Sequence, residues 1–150
     1  MANNHLVRTP DITKFSSHPS VNILDSWIIS RLHKTIKTVT QSLEKFDAQS
    51  GSLTIESFLQ DLSLWYIRRS RERVGPSAEN ETDKKAFYET TYAVLITLAK
   101  LLAPFIPFIS DEIYTNLTNE TSVHLANWPN SNDQLMNPQL DRDMSNGQHV

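Results

Sequence analysis

The sequence predicts an all-α fold, a helical bundle of about four main helices, and three observations carry that prediction. Apolar residues recur at steps of three and four in four successive segments, the period of a helix buried along one side. The 150 residues include only three glycines, too few for the dense turns of a β-sandwich or barrel. Glycine and proline stand at the joints between the periodic segments, where a helix is expected to stop.

Residues 1–24, with Pro10 and Pro19 and no sustained apolar period, read as a leading arm or linker. The bundle is expected over residues 25–118. Its first helix starts at Asp25, with Asp25 or Ser26 as cap, and carries the stripe Ile28, Leu32, Ile36, Val39, Leu43 and Phe46. Gly51 and Ser52 are read as the break. A second stripe of Ile55, Phe58, Leu59, Leu62, Trp65 and Tyr66 then runs to an end near Gly75-Pro76. After a polar loop over 75–83, a third helix from about Asp83 carries Phe87, Thr91, Val94 or Leu95, Leu98 and Leu102, and Pro104 stops it. Pro107 suits the first turn of a fourth helix bearing Ile109, Ile113, Tyr114 and Leu117, with Asp111 and Glu112 near its positive end. Residues 119–150, rich in Asn, Ser and Asp, read as an irregular tail or the start of a missing C-terminal element.

Several classes of chemistry are hard to build from this composition. With no cysteine there is no disulfide, no thiolate nucleophile and no thiolate zinc site. There is no glycine-rich phosphate loop, and His5, His18, His33, His124 and His149 lack metal-ligand spacing. Asp111 and Glu112 are adjacent, so a helix points them about 100° apart and they cannot work as a carboxylate pair. No catalytic residue, no metal site and no cofactor are therefore expected here. The sequence has no run of about 18 apolar residues and no signal-like start, which favours a cytoplasmic protein without a membrane partner.

The formal charge of -3 argues against a nucleic-acid binder until its distribution is considered. Residues 25–75 carry eight basic and six acidic side chains, net +2, whereas residues 76–150 carry four and ten, net -6. The first half also holds Trp65-Tyr66-Ile67-Arg68-Arg69-Ser70-Arg71-Glu72-Arg73, four guanidinium groups beside two aromatic rings. Arginine forks grip phosphate, and aromatic or guanidinium planes stack on unpaired bases. Arg68, Arg71 and Arg73 are the first choices for phosphate contact. Arg69, seven residues after Leu62, falls near the apolar stripe and would need a carboxylate or carbonyl partner if buried. Lys34 and Lys37 extend the patch if the first two helices pack side by side. Trp65 and Tyr66, at helical spacing from Leu62, fit a core role better than a stacking platform. The bland alternative is that the arginines merely offset the negative end of their helix dipole.

These same residues carry a resemblance. Leu24-Asp25-Ser26-Trp27-Ile28-Ile29-Ser30-Arg31-Leu32 and the segment from Asp61 to Arg71 resemble isoleucyl-tRNA synthetases, and the double arginine sets them apart from related valine enzymes, which usually continue Trp-Tyr with an acidic residue. Lys100 to Tyr114, reading KLLAPFIPFISDEIY, is similar to the segment joining the last helices of their anticodon-binding domain. Ser122 to Pro129 is similar to the stretch that follows. The resemblance covers roughly residues 22–129; Val74-Gly75-Pro76 departs from it where the family commonly has Phe-Trp.

The resemblance implies a tRNA-binding bundle, with isoleucine tRNA and the remaining domains of a parent synthetase as partners. The parent would activate isoleucine with ATP, load it onto tRNA and proofread valine elsewhere. The H-I-G-H and K-M-S-K-S signatures of adenylate formation are absent from this chain. A helical protein-interaction module, a free-standing synthetase-derived regulator, and a valine or leucine enzyme as parent stay open at this point.

Overall fold

The computed structural model describes residues 22–76 and 78–148, so the arm proposed for residues 1–24, apart from its last three residues, and His5, His18 and His149 lie outside the described residues. Among the described residues the chain is helical throughout, without a strand: α1 (Ile23–Glu44), α2 (Ala48–Gln60) running through a π-helical segment (Asp61–Ile67) into the short α3 (Arg71–Val74), then α4 (Glu81–Leu102), α5 (Pro107–Thr118) and α6 (Pro138–Gln148). Three-residue 3-10 turns lie at Val123–Leu125 and Asp133–Leu135. No helix among them is long and apolar enough to cross a membrane.

α1 is the central element, packed along α2 and against α4. Its buried residues Ile28, Leu32, Ile36 and Val39 meet Ile55, Phe58, Leu62 and Tyr66 from the second helix and Phe87, Val94, Leu98 and Leu101 from α4. A smaller cluster on another face of α4 joins Ile96 and Ala99 to Tyr114 and Val123. The helix starts differ slightly from those expected. Asn22 caps α1, accepting from the Leu24 N–H at 3.0 Å, while Asp25 is fully buried and serves the interior instead. Asn80 caps α4, accepting from the Asp83 N–H. Pro107 takes the first turn of α5, and Asn119 ends that helix in the left-handed conformation that asparagine tolerates.

The break between the first two helices falls earlier than Gly51-Ser52. The chain turns at Phe46, whose φ is 58°, and Asp47 caps α2 by accepting from the Ser50 N–H. Phe46 is therefore not a stripe residue; it is 96% exposed. Gly51 lies inside α2 and is buried because the turn between α4 and α5 packs close there: a Cβ at this position would lie 3.1 Å from the Phe105 ring. On α5 the inward face is Ser110, Tyr114 and Thr118, and Ile109 and Ile113 point outward. Asp111 is used beyond the dipole: it accepts from the Ser122 hydroxyl at 2.7 Å and the Val123 N–H at 2.8 Å, hydrogen bonds that lower its pKa.

The largest correction concerns residues 119–150, expected as an irregular tail. Of these, residues 128–144 form a strap laid antiparallel along α1. The Trp128 indole N–H donates to Thr40 Oγ1 at 2.9 Å, Asp133 pairs with Lys37, the Asn132 N–H donates to His33 Nδ1 at 3.1 Å, and the Asn137 N–H donates to Ser30 Oγ at 2.8 Å. Ser30, His33, Lys37 and Thr40 step by three and four, so they share one face of α1. Trp128, Leu135, Leu140 and Met144 close over the core. The strap escapes a periodicity search because each of its turns is fastened by a single polar contact.

His33 gives this fastening a pH dependence. Because Nδ1 accepts the Asn132 N–H, the proton of the neutral ring sits on Nε2, which is buried without a partner. Burial lowers its pKa from the ordinary value of 6.5. A protonated Nδ1 would confront the Asn132 N–H. With the folded pKa depressed, the stabilisation is fully present above the unfolded value and is lost as pH falls below about 6.5 towards the folded pKa. The protection factor of the Asn132 amide, its exchange rate relative to the unstructured rate at the same pH, should fall below about pH 6 in the natural chain, and His33→Gln should remove that acid dependence; an acid profile unchanged by the substitution would exclude His33 as its source.

Candidate nucleic-acid interface

The nine-residue segment from Trp65 to Arg73 spans the end of the π-helical stretch and α3. Wider i→i+5 turns spread the inward positions to every fourth residue, so Leu62, Tyr66 and Ser70 are buried in succession after Phe58. In a uniform α-helix Arg69, seven residues after Leu62, would swing towards the core. The π turns bring Ser70 there instead and leave Arg68 and Arg69 exposed. Arg69 lies over the half-buried Trp65 ring, its Cζ 4.3 Å from the centroid.

Arg73 is where the sequence reading fails. Placed by the sequence among the phosphate-contacting residues, its side chain is only 9% exposed and is clamped by two carboxylates. Nη1 and Nη2 each donate to one oxygen of Asp25 at 2.7 Å. Nε donates to Asp83 Oδ2 at 2.8 Å, and Nη2 to Asp83 Oδ1 at 2.6 Å. The Tyr66 hydroxyl also donates to Asp25, at 2.8 Å, and its ring stacks on Phe87. Burial pulls the Arg73 pKa down, but the hydrogen bonds and charges of Asp25 and Asp83 outweigh this and raise the pKa above its ordinary value. Burial, reinforced by Asp25, keeps the Tyr66 phenol protonated well above its ordinary range. The hydrogen bond from Arg73 lowers the Asp83 pKa. A double fork of this kind ties the starts of α1 and α4 to the end of α3, and with the second Nη1 donor directed at Ser70 Oγ, 3.4 Å away, all five donors are engaged within the chain.

Tyr66 is accordingly structural, and Trp65 is half core and half base for Arg69. Lys37 is met by Asp133 of the strap at 3.0 Å, an exposed and therefore weak pair. Arg31, not singled out from the sequence as a charged site, donates its Nε to Asp61 at 2.8 Å. Of the exposed cations with no carboxylate partner among the described residues, Arg68, Arg69 and Arg71 gather beyond the core end of the second helix; the others are Lys34 on α1, Lys45 just past its end and Arg142 on α6. No cluster of three metal-ligating side chains occurs among the described residues.

The amino-acid sequence of this helical domain has known relatives. Residues 25–149 fit the family described as "Anticodon-binding domain of tRNA ligase". The chain belongs to that family. An isoleucine–tRNA ligase of Bacillus thuringiensis (strain Al Hakam) is 37% identical over 139 residues, 90% of this chain and 13% of that protein. That of Clostridium tetani is 39% identical over 145 residues, 89% and 14%. That of Deinococcus radiodurans is 42% identical over 123 residues, 81% and 11%. The chain thus spans a small fraction, at most about a seventh, of the length of these relatives. The match extends through the strap, which agrees with its being part of the domain.

Removing one partner of a buried ion pair strands the others, at a cost of about 3–5 kcal/mol. Arg73→Ala should therefore lower the unfolding free energy by about that amount, and Arg73→Lys should recover little of it because an ammonium cannot fork onto two carboxylates. Arg68→Ala and Arg71→Ala should stay within about 0.5 kcal/mol of the natural chain. Urea unfolding followed by circular dichroism checks this; similar decreases at all three positions would contradict the division between one structural arginine and its exposed neighbours.

Proposed function

We propose that this chain is the tRNA-docking bundle of an isoleucine–tRNA ligase, and that it holds the anticodon arm of isoleucine tRNA through Arg68, Arg69 and Arg71, with Lys34 in support. The observation that carries the reading is the split among the arginines: in one nine-residue segment Arg73 is spent on the fold, while its three neighbours stand exposed, without a carboxylate partner among the described residues. Unpaired guanidinium groups next to a rigid core give phosphate contacts that position a polyanion. The bundle binds and does not react. Activation of isoleucine with ATP and its transfer to tRNA belong to the remaining domains of the parent, and the work is done in the cytoplasm.

Binding of this kind releases counterions, so the affinity must fall steeply with salt. Isoleucine tRNA and a non-cognate tRNA should be titrated across a salt series against the natural chain and against the triple variant Arg68→Ala/Arg69→Ala/Arg71→Ala. The variant should keep its helicity, bind about tenfold or more weakly at low salt, and show a log–log salt slope reduced by roughly two to three, about 0.7–0.9 for each phosphate that is no longer neutralised. Equal affinity and slope in the two proteins would reject the arginine fringe as the tRNA surface.

A further inference from the structure

α1 presents three faces: one to the core, one to the strap, and a third to an open groove that neither uses. The groove has a volume of about 300 Å³ and lies between α1 and α2. Its α1 wall is Arg31, Lys34, Thr35 and Thr38, at helical steps of three and four. Its α2 wall is Leu53, Thr54 and Ser57. No carboxylate lines it.

The polar atoms of this groove are sorted by what they already bond. Arg31 spends Nε and Nη2 on Asp61, which leaves the Nη1 edge without a partner among the described residues. Lys34 is exposed and meets no carboxylate among the described residues. Thr35 and Thr54 donate their hydroxyl protons to the carbonyls of Arg31 and Ser50, at 2.9 and 2.8 Å, so each can accept but not donate. Thr38 and Ser57 have no such bond among the described residues and keep both capacities. Leu53, 56% exposed, adds one apolar surface. A cation, hydroxyls that donate and accept, and a single apolar wall match the phosphate, the 2′-hydroxyl and the sugar or base of a ribonucleotide. The groove and the arginine fringe share one helical run: Ser57 of the groove is eleven residues before Arg68.

We infer that this groove is a ribose-reading subsite, which takes one ribonucleotide of the bound RNA with Lys34 on its phosphate and Thr38 and Ser57 on its 2′-hydroxyl. The inference rests on the tRNA reading above and adds to it the place where the domain distinguishes RNA from a general polyanion. The arginines supply attraction without regard to sugar; the hydroxyl-lined groove supplies the discrimination.

The test uses an RNA hairpin with the anticodon-arm sequence of isoleucine tRNA and a set of copies that each carry a 2′-deoxy substitution at one nucleotide. Each is titrated against the natural chain, Thr38→Val/Ser57→Ala and Lys34→Ala. For the natural chain, one deoxy position should weaken binding about three- to tenfold. That same substitution should cost Thr38→Val/Ser57→Ala nothing, since the hydroxyl partners are already gone. Lys34→Ala should weaken all hairpins together and keep the deoxy effect. If the natural chain binds every hairpin alike, or if the double variant still penalises the deoxy position, the groove does not read ribose, while the arginine reading stands. If the natural chain binds no hairpin at low salt, the tRNA reading falls and takes this inference with it.

Discussion

The buried guanidinium of Arg73 sets the terms for this fold. A charge almost removed from water must be met by opposite charge and by a partner for each of its donors, or the interior rejects it. Asp25 comes from the first turn of α1 and Asp83 from the first turn of α4, so two helices reach their register by answering one side chain. Tyr66 adds a hydrogen bond to Asp25 and stacks on Phe87, so that the apolar and ionic layers share residues. Such a cluster adds less net stability than its short bonds suggest, since desolvation offsets much of the attraction. Its contribution lies in orientation: one arrangement of α1, α3 and α4 satisfies all three charges.

The orientation fixed in this way determines what the neighbouring residues can do. Asp25, Asp61, Asp83, Asp111 and Asp133 are all engaged within the chain, on Arg73, Arg31, Arg73, the Ser122–Val123 turn and Lys37 respectively. An overall charge of -3 therefore misrepresents the surface. Five of the seventeen acidic side chains are thus turned to the fold, and three of the cations left without a carboxylate among the described residues, Arg68, Arg69 and Arg71, gather beyond the π-helical segment.

The helices were legible in the sequence because burial along one side imposes a period, and α1, α2, α4 and α5 all show it. Features that depend on single atoms were not. The turn at Phe46 uses a left-handed residue where glycine is the usual signal, and Gly51, which looks like that signal, is there to admit the Phe105 ring. Most of the strap has no period to detect, because its register comes from contacts to Ser30, His33, Lys37 and Thr40, and α6 shows only the single pair Leu140 and Met144. At the candidate interface the composition was readable and the assignment was not. Arg68 and Arg71 are exposed as expected; the π turns shift the helical period by one residue and carry Arg69 away from the stripe it was read as approaching, whereas Arg73, eleven residues after Leu62 and so on nearly the same face of a regular helix, was misread as a flank residue.

That change of one residue also separates two uses of the same side chain. An arginine that must satisfy Asp25 and Asp83 together needs a planar fork with several donors, whereas one that attracts a phosphate needs mainly to be charged, unpaired and near. Four arginines within six residues could not all do the first job, since the interior offers carboxylates for only one, and if all did the second, the starts of α1 and α4 would keep two carboxylates without a counter-charge. The π-helical segment resolves the conflict geometrically. By bringing Ser70 inward at the step where Arg69 would otherwise fall, it spares the core a second guanidinium and leaves Arg69 on the outer face of Trp65. A helix distortion beside a functional surface is common, and here its effect is specific: it decides how many of the four charges face the solvent from which RNA would approach.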